Sequence, residues 1–179
     1  MSLGAVDELA QVLETHKASA GACEHASAAL GNIAVGSEAR KQAVFERAMP
    51  QLAQVLETHK ASAGACEQAS AALINITWGN ESRAQKLVEC GAIPRLFTVL
   101  VTHKAHQGAC VRASGVFWSF ASVASLRAGI ISAGVVPLLA NVWKSHQGAK
   151  ANAHGALNAL GFNGDGSKKY VPNKPSVIH

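Results

Sequence analysis

Within ACEHASAALGNIA the apolar residues Ala26, Ala29, Leu30 and Ile33 recur at three- and four-residue steps, the spacing of one helix face. The pattern returns three times, as ACEQASAALINIT, ACVRASGVFWSFA and AKANAHGALNALG. A second apolar-periodic segment precedes each: GAVDELAQVL from Gly4, RAMPQLAQVL from Arg47, GAIPRLFTVL from Gly91 and GVVPLLANVW from Gly134. Pro50, Pro94 and Pro137 share one register there, with Asp7 in the first copy. A proline near the start of a helix costs little, because its missing N–H would have no helical partner anyway. A third, shorter stretch stands before the second in the later copies: EARKQAVFER, ESRAQKLVEC and ASLRAGIISA. Each unit therefore reads as short helix, helix, helix, and the first copy lacks its short helix.

The period is set by His16, His59, His103 and His146, which close the second segment at steps of 43, 44 and 43 residues. VLETHKASAGACE is spelled identically at 12–24 and 55–67, and only His25 against Gln68 differs between Leu9–Leu30 and Leu52–Leu73. Tetratricopeptide and ankyrin arrays, at about 34 and 33 residues, are excluded by the period. The proline-bearing GAIPRLFTVL and GVVPLL, the run NESRAQKLVECGAIP, and the AALGNIA and AALINIT endings together resemble the armadillo repeat. HEAT repeats have a similar period but no separate short first helix. The resemblance covers residues 4 to about 162 and implies an all-α, right-handed superhelical armadillo-type α-solenoid of nearly four three-helix repeats. The expected organisation is a vector-derived leader at 1–3, repeats at about 4–34, 35–78, 79–122 and 123–162, and a flexible tail at 163–179.

Composition narrows the chemistry. The chain is 49% hydrophobic but only 5% aromatic, which favours closely packed helices over a β-sandwich. The apolar stretch from Ala113 to Trp143 is divided by Arg127, and neither half reaches the length of a membrane span. Four cysteines without a signal sequence suit a reducing compartment, so the expected location is cytoplasmic or nuclear. The two glycosylation sequons at Asn75 and Asn80 are then coincidences. Charge is uneven: residues 1–89 carry seven Lys/Arg and ten Asp/Glu (net −3), whereas 90–179 carry nine Lys/Arg and Asp165 alone (net +8).

Cys23, Cys66 and Cys110 share one register. Stacked helices lie about 8–10 Å apart, too far for a disulfide. These cysteines read as small buried fillers, and Cys90 as similar. Each ladder histidine ends a helix, where a donor side chain meets free carbonyls and the negative dipole end. No carboxylate or second histidine stands at i+3 or i+4 to complete a metal site. Gly161–Lys168 lacks the Lys-Ser/Thr pair of a phosphate loop and follows a helix, so it reads as a helix stop. No catalytic constellation, metal or cofactor is expected, and the chain reads as a non-enzyme.

The armadillo resemblance implies a concave face lined by the third helices. There an Asn near each helix end holds an extended peptide and a Trp one turn earlier forms pockets. Carried over, the Asn register reads Asn32, Asn75, Ser119 and Ala159, and the Trp register Ala28, Ala71, Gly115 and Gly155. The groove floor is expected to be flat. Beside it stand Glu67, Gln68 and Arg112. The partner-binding candidates are thus Asn32, Asn75, Arg112 and Ser119, with Gln68 and Glu67 secondary. The expected function is a scaffold binding a protein or peptide, its C-terminal half favouring acidic segments. The alternatives are end-to-end self-association, because apolar Leu9, Val12 and Leu13 open the chain uncapped, or a capping piece of a larger protein. Nucleic-acid binding is disfavoured, because the basic residues are thinly spread.

Overall fold

The computed structural model describes residues 4–169. It contains ten α-helices: α1 Gly4–Thr15, α2 Ala20–Ala34, α3 Glu38–Thr58, α4 Ala63–Thr77, α5 Glu81–Glu89, α6 Ala92–Thr102, α7 Gln107–Ala121, α8 Arg127–Ser132, α9 Val135–Ser145 and α10 Lys150–Leu160. The helices stack as an all-α solenoid. The third helices α2, α4, α7 and α10 pack one on the next, and α1, α3, α6 and α9 form the second layer. Between the layers runs one core that includes Leu30, Leu73, Phe117 and Leu157, the same position in each copy.

Helix ends follow the local sequence. Ser19, Ser62 and Asn80 accept hydrogen bonds from the backbone N–H three residues on and cap α2, α4 and α5. Gly91 and Gly134 adopt left-handed backbone (φ 78° and 74°) and separate the short helix from the next one. Arg47 occupies that register in the second copy. An arginine does not take that conformation cheaply, so the expected short helix and second helix run together as the 21-residue α3. Pro50 consequently lies inside a helix, where no N–H is available for the Glu46 carbonyl. In α6 and α9 the matching Pro94 and Pro137 fall at the third helical residue, where nothing is lost.

The tail expected from 163 starts differently. Residues 161–169 form a closed turn: Lys169 N–H donates to Gly161 O at 2.9 Å and Asn163 N–H to Ser167 O at 2.8 Å. Asp165 accepts from Ser167, which holds its carboxyl below the usual range. The turn lies on α9. A Cβ on Gly164 would press the Trp143 ring at 2.6 Å, and one on Gly166 would touch Ala140 at 3.0 Å. Residues 170–179 of the expected tail, and the expected leader at 1–3, lie outside the described residues.

Among the described residues no single helix is long and apolar enough to cross a membrane.

Candidate functional site

The repeated THK-to-Cys phrase forms the joints between repeats. Each ring of His59, His103 and His146 reaches the preceding copy: Nε2 lies 2.8 Å from Lys17 O, 2.8 Å from Lys60 O and 2.7 Å from Lys104 O. A carbonyl only accepts, so Nε2 carries the hydrogen in all three. The expectation that each ring caps its own helix is corrected: it ties its helix to the neighbouring repeat. The histidine carbonyl works locally. His16 O, His59 O and His103 O accept from the backbone N–H three residues on, each at 2.8 Å. They also accept from the thiols of Cys23, Cys66 and Cys110 at 3.7, 3.5 and 3.4 Å. Lys150 takes the cysteine register in the last copy and sets its ammonium 5.7 Å from the Trp143 ring centre.

All four cysteines are free thiols; Cys90, read as a filler, is exposed. Burial pushes the Cys66 thiol up to about 11 and raises those of Cys23 and Cys110. A water-soluble thiol reagent should therefore label about one cysteine per native chain and all four after denaturation. Unfolded thiols ionise near 9.0 while the folded ones keep their protons. Stability is then intact below pH 9 and falls as pH climbs toward 11, measurable as a declining Tm.

Asn32, Gln68, Asn75 and Arg112, from three successive third helices, line one open depression of about 290 Å3 floored by Ala28, Gly31 and Ala71. Asn32 and Arg112 are exposed; Gln68 and Asn75 are half-buried. Asn75 donates its Nδ2 to Gly31 O at 3.0 Å, which bridges two repeats and leaves its amide oxygen without a hydrogen bond among the described residues. Ser27 is buried at the same depression, and its hydroxyl has no hydrogen-bond partner among the described residues.

Two candidates stand elsewhere. Ser119 is 4% exposed and donates to Thr77 Oγ1 at 3.2 Å, on the wall between α4 and α7. Glu67 lies over Gly108 in the first turn of α7, with His106 Nδ1 3.8 Å from its carboxylate. Glu24 lies over Gly64 of α4 in the same way. Both carboxylates sit at the positive end of the next third helix, a favourable place for negative charge. Glycine leaves room for the carboxylate there; a Cβ would push the flexible glutamate tip aside.

The flat groove floor is also filled differently from the expectation. Residues one before the Asn register point into the next copy: Gly31 against Ala72, Ile74 over Gly115 and Trp118 over Gly155. The protruding side chain grows from glycine to isoleucine to indole, and glycine opposes the two larger ones. Trp118 also meets Trp78 edge-to-face with ring centres 4.8 Å apart, and Trp78 stays 43% exposed. Sequence reading missed this pair because neither tryptophan is in the register of a pocket-forming Trp.

A further column went unnoticed. Arg83 is 3% exposed, donates Nη1 to Ile76 O at 2.8 Å and pairs with Glu38 through Nη2. Burial lowers its pKa. Arg127 donates Nε to Ala121 O at 2.8 Å in the equivalent place. Both fasten a short helix to the end of the preceding third helix. The 44-residue step from Arg83 to Arg127, and the 43 from Arg40, were the available signal. Among the described residues no group of three or more His, Cys, Asp or Glu could hold a metal.

No protein-family profile and no curated protein matches the chain. Solved structures do. A designed armadillo repeat protein in complex with the peptide (KR)4 aligns with TM-score 0.77 and 26% identity, over 89% of this chain and 66% of that one. A second designed armadillo repeat protein aligns with TM-score 0.76 and 28% identity, over 87% and 64%. An engineered protein aligns with TM-score 0.78 and 20% identity, over 91% and 38%. This chain thus spans less than two thirds of the length of each of these three designed or engineered proteins. Its own stack of third helices shares one core position, at Leu30, Leu73, Phe117 and Leu157. The chain has an armadillo-type repeat fold.

Proposed function

We propose that this protein is a non-enzymatic scaffold that binds an extended peptide along its third helices, with the depression between α2, α4 and α7 as a principal subsite. The observation that carries the reading is the meeting of Asn32, Gln68, Asn75 and Arg112 on one small-residue floor. Amide side chains there can pair with a peptide backbone, while alanine and glycine let it come close. Ser27 adds a buried hydroxyl still lacking a partner. That an armadillo repeat protein of the same fold was solved with a peptide supports the class of ligand.

The charge of the ligand should differ from that neighbour's. The sequence has no acidic residue between Cys90 and Gly164, and the exposed Arg112 guanidinium stands at the depression. Acidic segments are favoured there, and a basic peptide is repelled. The free, mostly buried thiols suit a cytoplasmic or nuclear setting.

Fluorescence anisotropy with labelled (DE)4 and (KR)4 peptides tests this. The acidic peptide should bind, with affinity falling as salt rises. Arg112→Glu should weaken it by at least about tenfold, the value of one charge-assisted hydrogen bond. Asn75→Ala should weaken it less. Equal binding of both peptides, or indifference to Arg112→Glu, would sink the assignment.

A further inference from the structure

The joint before α7 is built differently from those before α2 and α4. Ser19 and Ser62 cap the earlier helices through hydroxyls that accept from Ala22 N–H and Ala65 N–H, each at 3.3 Å. The equivalent residue before α7 is His106, whose Nδ1 accepts from Ala109 N–H at 3.2 Å. A serine hydroxyl accepts at any ordinary pH. An imidazole nitrogen accepts only while it carries no hydrogen, so this cap requires the neutral ring with its hydrogen on Nε2. Histidine is also the side chain whose charge ordinarily changes between pH 5 and 8.

A carboxylate waits beside the same nitrogen. Glu67 of α4 lies over Gly108, and its Oε2 is 3.8 Å from His106 Nδ1. Among the described residues no other carboxylate pairs with this ring. The remaining titratable groups around the joint have other partners or face solvent. The rings of His103 and His146 are tied to Lys60 O and Lys104 O. The Lys60 ammonium pairs with Glu57, and that of Lys150 lies over Trp143. Lys104 and Arg112 are exposed. In the preceding joint Glu24 lies over Gly64 in the same way, but the cap there is Ser62, which does not titrate.

We infer that His106 is a proton-operated switch at the joint between the second and third repeats. The neutral ring caps α7. A proton added at Nδ1 turns that atom from acceptor to donor, so it releases Ala109 N–H and bonds to the Glu67 carboxylate. A hydrogen bond inside α7 is thereby exchanged for an ion pair to α4. The helix itself stays anchored, because Cys110 N–H donates to His106 O at 3.1 Å whatever the charge of the ring. Acid thus loosens the first turn of the helix that carries Arg112 while tying that turn to the preceding repeat. The inference does not rest on the peptide reading.

His106→Ser is the key variant. It installs the cap of the first two repeats, which holds at every pH, so the chain should fold. The first reading is hydrogen exchange of the Ala109 amide by NMR, relative to an unstructured peptide at the same pH. Between about pH 7.5 and pH 5.5 it should speed up about fivefold in the wild type, the value of one N-cap. In His106→Ser it should stay constant. The second reading is a double-mutant cycle with Glu67→Gln. At about pH 5.5, where a glutamate is still ionised, Glu67→Gln should lower Tm by about 1–3 °C more in the wild type than in His106→Ser. That difference should vanish as pH rises to about 7.5 and the imidazolium loses its proton. The same exchange response in wild type and His106→Ser, or a His106–Glu67 coupling of equal size at both pH values, overturns the inference. Neither reading involves a peptide, so failure here is distinguishable from failure of the groove.

Discussion

Phe117→Ala should destabilise the protein by about 4 kcal/mol, the cost of emptying a fully buried aromatic site. Phe117 has no solvent exposure and packs edge-to-face on Phe120 with ring centres 6.3 Å apart. It stands in the column of Leu30, Leu73 and Leu157, where the layer of second helices meets the third helices. The neighbouring helices are pinned by inter-repeat hydrogen bonds from His103 and His146. They are poorly placed to collapse into the vacancy, so the cavity should persist. For a chain of this size the loss corresponds to a fall in Tm of about 8–16 °C. Urea unfolding followed by far-UV circular dichroism reads it directly. A loss under about 1.5 kcal/mol would mean that the third repeat relaxes around the gap and is not rigidly stacked.

Gly155→Val should cost about 3 kcal/mol, for the opposite reason. The added side chain would overlap the Trp118 indole, which is already packed against Trp78. An indole fixed on its other side cannot swing away as a lysine tip would. The ring must leave its slot, and Trp emission should shift to the red. Gly21→Ala is the matched control. It lies in the first turn of α2, and its added methyl meets no atom within 4 Å. Removing a helical glycine there should stabilise by up to about 1 kcal/mol. Unchanged emission together with unchanged stability in Gly155→Val would refute the size-matched packing of Trp118 on Gly155.

The reading of individual side chains from register alone succeeded unevenly, and the reasons are physical. The cysteine column was legible because a small apolar residue at a fixed helical position has few alternatives to burial. Cys90 escaped that logic because it ends a short helix near the surface, where the same residue type is exposed. Glu67 was placed beside the groove by its register. It turned instead to the first turn of α7, where a bare glycine at the positive end of the helix dipole offered a better site for a carboxylate. Asn75 has a structural hydrogen bond and a free acceptor, so its bridging and binding readings do not exclude one another.

Architecture was the part written in the sequence itself. A 43-residue period, helical spacing of apolar residues and proline at helix starts require stacked helices, since no single unit can cover its own apolar face. Local chemistry likewise dictated the caps at Ser19, Ser62 and Asn80. Only the tertiary structure decided where the long polar side chains go. A histidine ring, an asparagine amide or an arginine head spans several ångströms, and its partner belongs to the adjacent repeat, about 40 residues away in sequence. The choice among competing carbonyls, carboxylates and solvent is made by how two repeats meet. That meeting turned the repeated VLETHKASAGACE into an inter-repeat joint and gathered Asn32, Gln68, Asn75 and Arg112 at one depression.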